Sequence, residues 1–176
     1  GTESQAGAEA AKQDTDKNDV FIGKGVTAIG DSVMVEVGPE LKKLFPDIVV
    51  DGKIGRQMYQ APQIVKNLKD QGTLGNTVII ELGANGAFTE KQFTDILELL
   101  GGDRQIVIIN TRVPKPWESV VNQVLAQAAA DAPNIKLVDW YSASNGHNEY
   151  FYADGVHLKE AGAQAYAALV ADAVNP

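Results

Sequence analysis

Val78-Ile79-Ile80-Glu81-Leu82-Gly83-Ala84-Asn85-Gly86 is a nearly continuous apolar run that ends in a glycine-flanked amide. Val and Ile in succession, rather than alternating with polar residues, mark a parallel strand covered on both faces. The pattern recurs along the chain. Val26-Thr27-Ala28-Ile29, Ile48-Val49-Val50 and Ile106-Val107-Ile108-Ile109 read the same way, and Lys136-Leu137-Val138-Asp139 is a weaker fifth. The segments between them have helical spacing. Residues 59–71 carry Ile64, Val65 and Leu68, with Pro62 placed where only a first turn tolerates it. Thr89-Glu90-Lys91-Gln92 is a capping box ahead of Phe93, Ile96, Leu97 and Leu100, and Gly101 is the stop. Further helices are expected over 119–132, before Pro133, and over 159–174. A helix is expected to start directly after Ser32, in a stretch that ends at Leu44-Phe45-Pro46.

Strands alternating with helices predict an α/β fold, a three-layer α/β/α sandwich on a five-stranded parallel sheet. A flavodoxin-like strand order, 2-1-3-4-5, is expected, and it puts ligand sites at the carboxyl ends of the strands. Residues 1–19 hold no large apolar side chain, so they read as a flexible linker or tail, with 20–176 as the folded domain. Asp14, Asp16 and Asn18 imitate a calcium loop, but Asp19 stands where that loop needs Gly and its distal Glu is missing.

Composition excludes several classes. The net charge of −8, from 15 Lys+Arg and 23 Asp+Glu, supplies no basic field for nucleic acid or an anionic membrane surface. There is no Cys and there are two isolated His residues, so no zinc-ligand set is present and neither metal nor cofactor is expected. No run approaches the roughly 18 apolar residues of a membrane span.

Four loops, each after an expected strand or helix boundary, carry reactive or polarising groups. Ser32 follows the first strand in Gly30-Asp31-Ser32, where a tight turn would expose it; on these three residues alone the reading as a helix cap is the favoured one. Asp154-Gly155-Val156-His157 lets a carboxylate accept from one ring nitrogen of His157 while the other points outward to deprotonate a hydroxyl. Asn85, between glycines, is either a turn residue or an oxyanion donor, and Gly55 could offer a backbone N–H to the same oxyanion. His147 has no acid at useful spacing and is expected on the surface. Trp117, in a Pro-rich loop, is either a sugar platform or a loop anchor. Tyr141, Tyr150, Phe151 and Tyr152 are expected to pack down the loop that leads to Asp154.

Together these blocks resemble the SGNH (GDSL-type) hydrolase family: Ser in Gly-Asp-Ser, an isolated Gly, an Asn after a Gly, and Asp-x-x-His near the C-terminus. The resemblance implies Ser32 as nucleophile, His157 as base, Asp154 as its orienting acid, and an oxyanion hole from the Ser32 and Gly55 N–H groups with the Asn85 amide. Val33 replaces the family's common Leu, and Gly86 its common Asp after Asn. A narrower set of motifs accounts for both: Gly30-Asp31-Ser32-Val33-Met34, Asp51-Gly52-Lys53-Ile54-Gly55-Arg56-Gln57, Leu82-Gly83-Ala84-Asn85-Gly86 and Asn110-Thr111-Arg112-Val113-Pro114 continuing to Glu118. They are similar to the extracytoplasmic C-terminal domain of Gram-positive peptidoglycan O-acetyltransferases. That similarity implies transfer of an acetyl group through Ser32 to the C6 hydroxyl of N-acetylmuramoyl residues. It also implies glycan strands as partner, a membrane acyltransferase domain of the same protein as donor, residues 1–19 as part of the tether, and a cell-surface location. A carbohydrate or lipid O-acetylesterase would use the same triad, and a wall-binding module without catalysis is the alternative from another class.

Overall fold

A computed structural model of the chain describes residues 25–175; the expected linker at 1–19 lies outside them. Its sheet has five parallel strands in the order β2-β1-β3-β4-β5, as expected: β1 (Val26–Gly30), β2 (Val49–Gly52), β3 (Thr77–Glu81), β4 (Gln105–Ile109) and β5 (Ile135–Val138). Register runs straight across the centre, with Ile29 beside Ile80 and Ile80 beside Ile108.

Because β side chains alternate, each apolar run feeds two cores. Ile79, Val107 and Ile109 face α1 (Ser32–Leu44) and the last helix, α6 (Glu160–Val174), with Met34, Val37, Tyr166 and Val170. Val78, Ile80, Ile106 and Ile108 face α2 (Ala61–Asp70), α3 (Glu90–Leu100) and α4 (Glu118–Asp131), with Val65, Phe93, Ile96 and Leu125. This is the three-layer sandwich. A four-residue helix, α5 (Trp140–Ala143), follows β5.

The boundary signals act as their chemistry dictates. Thr89 caps α3 by accepting from Gln92 N, while the Gln92 side chain accepts from Thr89 N, and Gly101 ends the helix. Pro62 sits in the first turn of α2, where its missing N–H costs nothing. The connecting stretch after β1 is α1, helical throughout although Gly38 and Pro39 lie inside it.

Candidate active site

β1 ends at Gly30, and the chain turns directly into α1 at the carboxyl edge of the sheet. Asp31 caps the helix: its Oδ1 accepts from Val33 N at 2.9 Å. Ser32 is therefore the first helical residue rather than the cap, which removes the alternative open in the sequence. Asp31 N and Met34 N both donate to Glu81 Oε1, at 3.1 and 3.0 Å, and Val35 N donates to Asp31 O. Among the described residues, Ser32 N is the one N–H of this turn that no protein acceptor takes. A helix N-terminus with a free N–H beside a hydroxyl is suited to a developing oxyanion.

The Ser32 hydroxyl meets His157 from the far end of the chain, with 3.0 Å between Oγ and Nε2. His157 Nδ1 bonds Asp154 Oδ2. With Asp154 ionised, Nδ1 is the donor, so Nε2 presents its lone pair to the Ser32 O–H. The other Asp154 oxygen accepts from Val156 N and His157 N, both at 2.9 Å, so the same carboxylate shapes the turn and aims the ring. Bonds from Tyr152 N to His157 O and from Lys159 N to Tyr150 O close the loop into a narrow hairpin. Leu158 N reaches Glu36 Oε1 at 3.3 Å, one helical turn beyond Ser32, tying that hairpin to the helix that carries Ser32.

Electrostatics follow this geometry. The hydrogen bond to Asp154 raises His157 above its ordinary 6.5, and the charges of Asp154 and Glu36 add to it. The same bond pulls Asp154 down to about 2. The His157 and Asp154 side chains are 41% and 48% exposed, so solvent and large substrates reach them.

The two remaining oxyanion candidates adjoin the Ser32 turn through Arg56. The Arg56 guanidinium is buried and donates to Gly30 O at 3.2 Å and Asp51 O at 2.8 Å. Asn85 Nδ2 donates to Arg56 O at 3.1 Å, which leaves the second amide hydrogen free for a ligand. Gly55 has φ +81, a conformation open to glycine, and its N–H donates to no group among the described residues.

Other expected residues fall elsewhere. Trp117 Nε1 donates to Ala84 O at 3.2 Å, and its ring packs on the α4 side of the core, so it anchors the loop that carries Asn85. The sugar-platform reading gains nothing from that placement. Tyr150 and Phe151 pack on Trp140, as the loop reading requires, whereas Tyr141 and Tyr152 are exposed. His147 has an acid after all: a 3₁₀ turn (Asn148–Tyr150) brings Glu149 Oε1 to 2.6 Å from its Nδ1, and the ring stacks on Tyr150. Glu81 and Arg56 had no assigned role in the sequence reading, although a charge at the end of an apolar strand is itself a signal of a buried polar contact. Among the described residues no cluster of His, Cys, Asp or Glu fits a metal ion.

No protein-family model matches the chain. It is 47% identical over 148 residues to the peptidoglycan O-acetyltransferase OatA of Listeria monocytogenes, an alignment that takes in 84% of this chain and 24% of that protein. The O-acetyltransferase OatA of Staphylococcus aureus is 45% identical over 143 residues, covering 81% of this chain and 24% of its own length. The OatA C-terminal catalytic domain of Streptococcus pneumoniae, solved with a methylsulfonyl adduct, superposes with a TM-score of 0.76 at 24% identity. That superposition covers 85% of this chain and 92% of the pneumococcal one. The chain is an SGNH-fold homologue of OatA. This OatA homologue spans about a quarter of the length of the curated relatives it matches.

Proposed function

We propose that the chain is the catalytic segment of a peptidoglycan O-acetyltransferase, carrying acetyl on Ser32 from a donor to the C6 hydroxyl of N-acetylmuramoyl residues. The observation that carries the reading is the hydrogen-bonded line from Ser32 through His157 to Asp154, in a chain 47% identical to OatA. In the first half-reaction His157 Nε2 takes the Ser32 proton as Oγ bonds the acetyl carbonyl carbon. The carbonyl electrons move onto oxygen, met by the Ser32 N–H and, in this proposal, by the Gly55 N–H and the Asn85 amide. The carbon–leaving-group bond then breaks, and His157 returns its proton to the leaving oxygen. In the second half-reaction the acceptor hydroxyl gives its proton to His157 and attacks, and Ser32 is released with its hydrogen restored.

The site's exposure supports a polymeric acceptor. Beside the Asp154 hairpin lies a groove of about 690 Å³, lined among others by Arg112, Glu118, Tyr152 and Lys159, which offers a glycan a polar wall. The donor is supplied by a membrane acyltransferase domain of the longer protein, residues 1–19 belong to the tether, and the segment works outside the membrane. Among the described residues no helix is long and apolar enough to cross one.

The same exposure favours a second reading, because water reaches an acetyl-Ser32 as readily as a sugar does: the enzyme would then be an O-acetylesterase. An acetyl ester donor supplied with and without muroglycan oligomers separates the two. Acetylated oligomer, with release of free acetate suppressed, supports transfer; acetate release indifferent to oligomer supports the esterase. Stoichiometric labelling of Ser32 by a sulfonyl fluoride is expected in either case. No adduct at saturating reagent would indicate a binding module instead.

A further inference from the structure

Below the nucleophile lies a pair of acids that the mechanism above does not use. Asp31 has no solvent exposure and Glu81 has 4%. The Asp31 N–H donates to Glu81 Oε1, so the two acids share one buried corner at the start of α1, and Asp31 Oδ2 has no hydrogen-bond partner there. Asp31 Oδ1 is engaged by Val33 N. Glu81 Oε1 already accepts two backbone N–H groups, from Asp31 and Met34. An ionised pair would put two adjacent charges in the core with one oxygen orphaned, which burial and like-charge repulsion both disfavour.

We infer that Asp31 and Glu81 share one buried proton, carried by Glu81 and donated to Asp31 Oδ2, and that Glu81 is thereby a positioning residue for the nucleophile. Through Oε1 it fixes the first turn of α1; through its proton it holds the cap. All the N–H groups of that turn except that of Ser32 are thus occupied. The inference rests on the acyl-transfer reading only for what the free N–H does.

Burial pushes Glu81 well above the ordinary carboxylate range, and the adjacent Asp31 adds to it. Burial raises Asp31 as well, while the Glu81 side chain and the Val33 N–H act in the opposite direction, and the N-terminus of α1 favours the anion at its cap, Asp31. The Ala84 N–H is the other donor near Asp31 and contributes least. The titratable groups that face the pair are Glu36 on α1, His157 in the hairpin and Tyr166 on α6, whose phenol burial pushes well up. The Arg56 guanidinium sits against Gly30 O on the β2 side. Gly30 itself is explained by the pair, since a Cβ there would lie 2.7 Å from Glu81 Oε1.

The test uses Glu81→Gln and Glu81→Ala in the chain as it stands. Gln reproduces the neutral acid: its carbonyl accepts the two N–H groups and its NH₂ donates to Asp31. Glu81→Gln is expected to hydrolyse a small acetyl ester within about threefold of the parent kcat, whereas Glu81→Ala loses on the order of 10²–10³ in kcat with KM little changed. Infrared difference spectra at neutral pH should show a protonated-carboxyl C=O band in the parent that is absent in Glu81→Gln. The sign for stability is set by the raised Glu81: the parent's advantage is complete below the ordinary value of 4.5 and is lost as pH rises toward the folded value. The folding constant of Glu81→Gln relative to the parent should therefore climb by up to about tenfold per pH unit over that window. A Glu81→Gln enzyme as damaged as Glu81→Ala, or no protonated-carboxyl band in the parent, would overturn the inference. Ester hydrolysis and infrared absorption read the pair whatever the acceptor is, so a failed glycan-transfer assay counts against the proposed function and not against the pair.

Discussion

Replacing Gly30 by Ala is the most quantitative trial of how this site is built. Gly30 does not lie in the left-handed region, so Ala meets no backbone obstacle there. The obstacle is space: a Cβ would sit 2.4 Å from Met34 Cβ, 2.7 Å from Glu81 Oε1 and 3.0 Å from Glu81 O. Neither neighbour yields cheaply. Met34 is fully buried on α1, and Glu81 Oε1 is held by two N–H groups. Overpacking of this kind costs about 1–3 kcal/mol. Dragging Oε1 off its donors adds about 1–3 kcal/mol for each buried N–H left unsatisfied. The stiffer unfolded chain returns only about 0.4–1 kcal/mol. With the two donor bonds weakened rather than both lost, the net loss is about 3–5 kcal/mol, a large share of the 5–15 typical of a domain. At roughly 2–4 °C per kcal/mol for this size, the melting temperature should fall by about 6–20 °C. Urea titration with an unchanged slope and a lowered midpoint is the direct assay. A loss below about 1 kcal/mol would refute the reasoning, because it would mean that Glu81 or Met34 can shift freely.

Three further outcomes are expected. Asp154→Asn should lower kcat for ester hydrolysis by about 10²–10⁴ and move the acid limb of the residual activity downward, because the bond that lifts His157 above 6.5 is gone; a limb that stays put would disconnect Asp154 from His157. In the parent that limb lies above 6.5, and since the folded Asp154 value is about 2 against an ordinary 3.8, its stabilisation is complete above 3.8 and disappears as pH falls through 2. Asn85→Ala should reduce kcat by about 10²–10³ with KM nearly unchanged, and near-normal turnover would remove Asn85 from the oxyanion site. Glu36→Ala, which frees the hairpin from α1, should cost about tenfold in kcat/KM, the equivalent of one hydrogen bond of about 1.4 kcal/mol, and no loss would show that the hairpin holds its place without it.

The strands and most helices were legible because they rest on local signals, such as uninterrupted Val/Ile runs or Thr89 and Gln92 at capping spacing. The start of α1 after Ser32 was legible too, although the helix contains Gly38 and Pro39. Pro39 is tolerated on the exposed face of the helix, and Gly38 lies against Val50, where an added Cβ would already be in contact at 3.4 Å. At the site the residues divide. Ser32, Asp154 and His157 sit in short motifs that point to chemistry in combination, since Gly30-Asp31-Ser32 by itself reads as a helix cap, and the structure brings the three together. Glu81 could not be found that way, because its place opposite Gly30 is a matter of strand register, which no spacing along the chain reports. Trp117 shows the converse: a lone aromatic in a loop fits two roles, and the Ala84 carbonyl that takes its N–H is invisible until the loops are folded.

Ser32 and His157 are 125 residues apart and meet through a hairpin whose outgoing leg is fastened to α1 at Leu158 and then runs into α6. During synthesis the Ser32 hydroxyl therefore emerges early and has no imidazole beside it until almost all of the described residues have followed. A chain cut before His157 leaves the Ser32 hydroxyl without that hydrogen bond. The hydroxyl–imidazole contact therefore reports, in one distance, that the two ends of the described chain have come together.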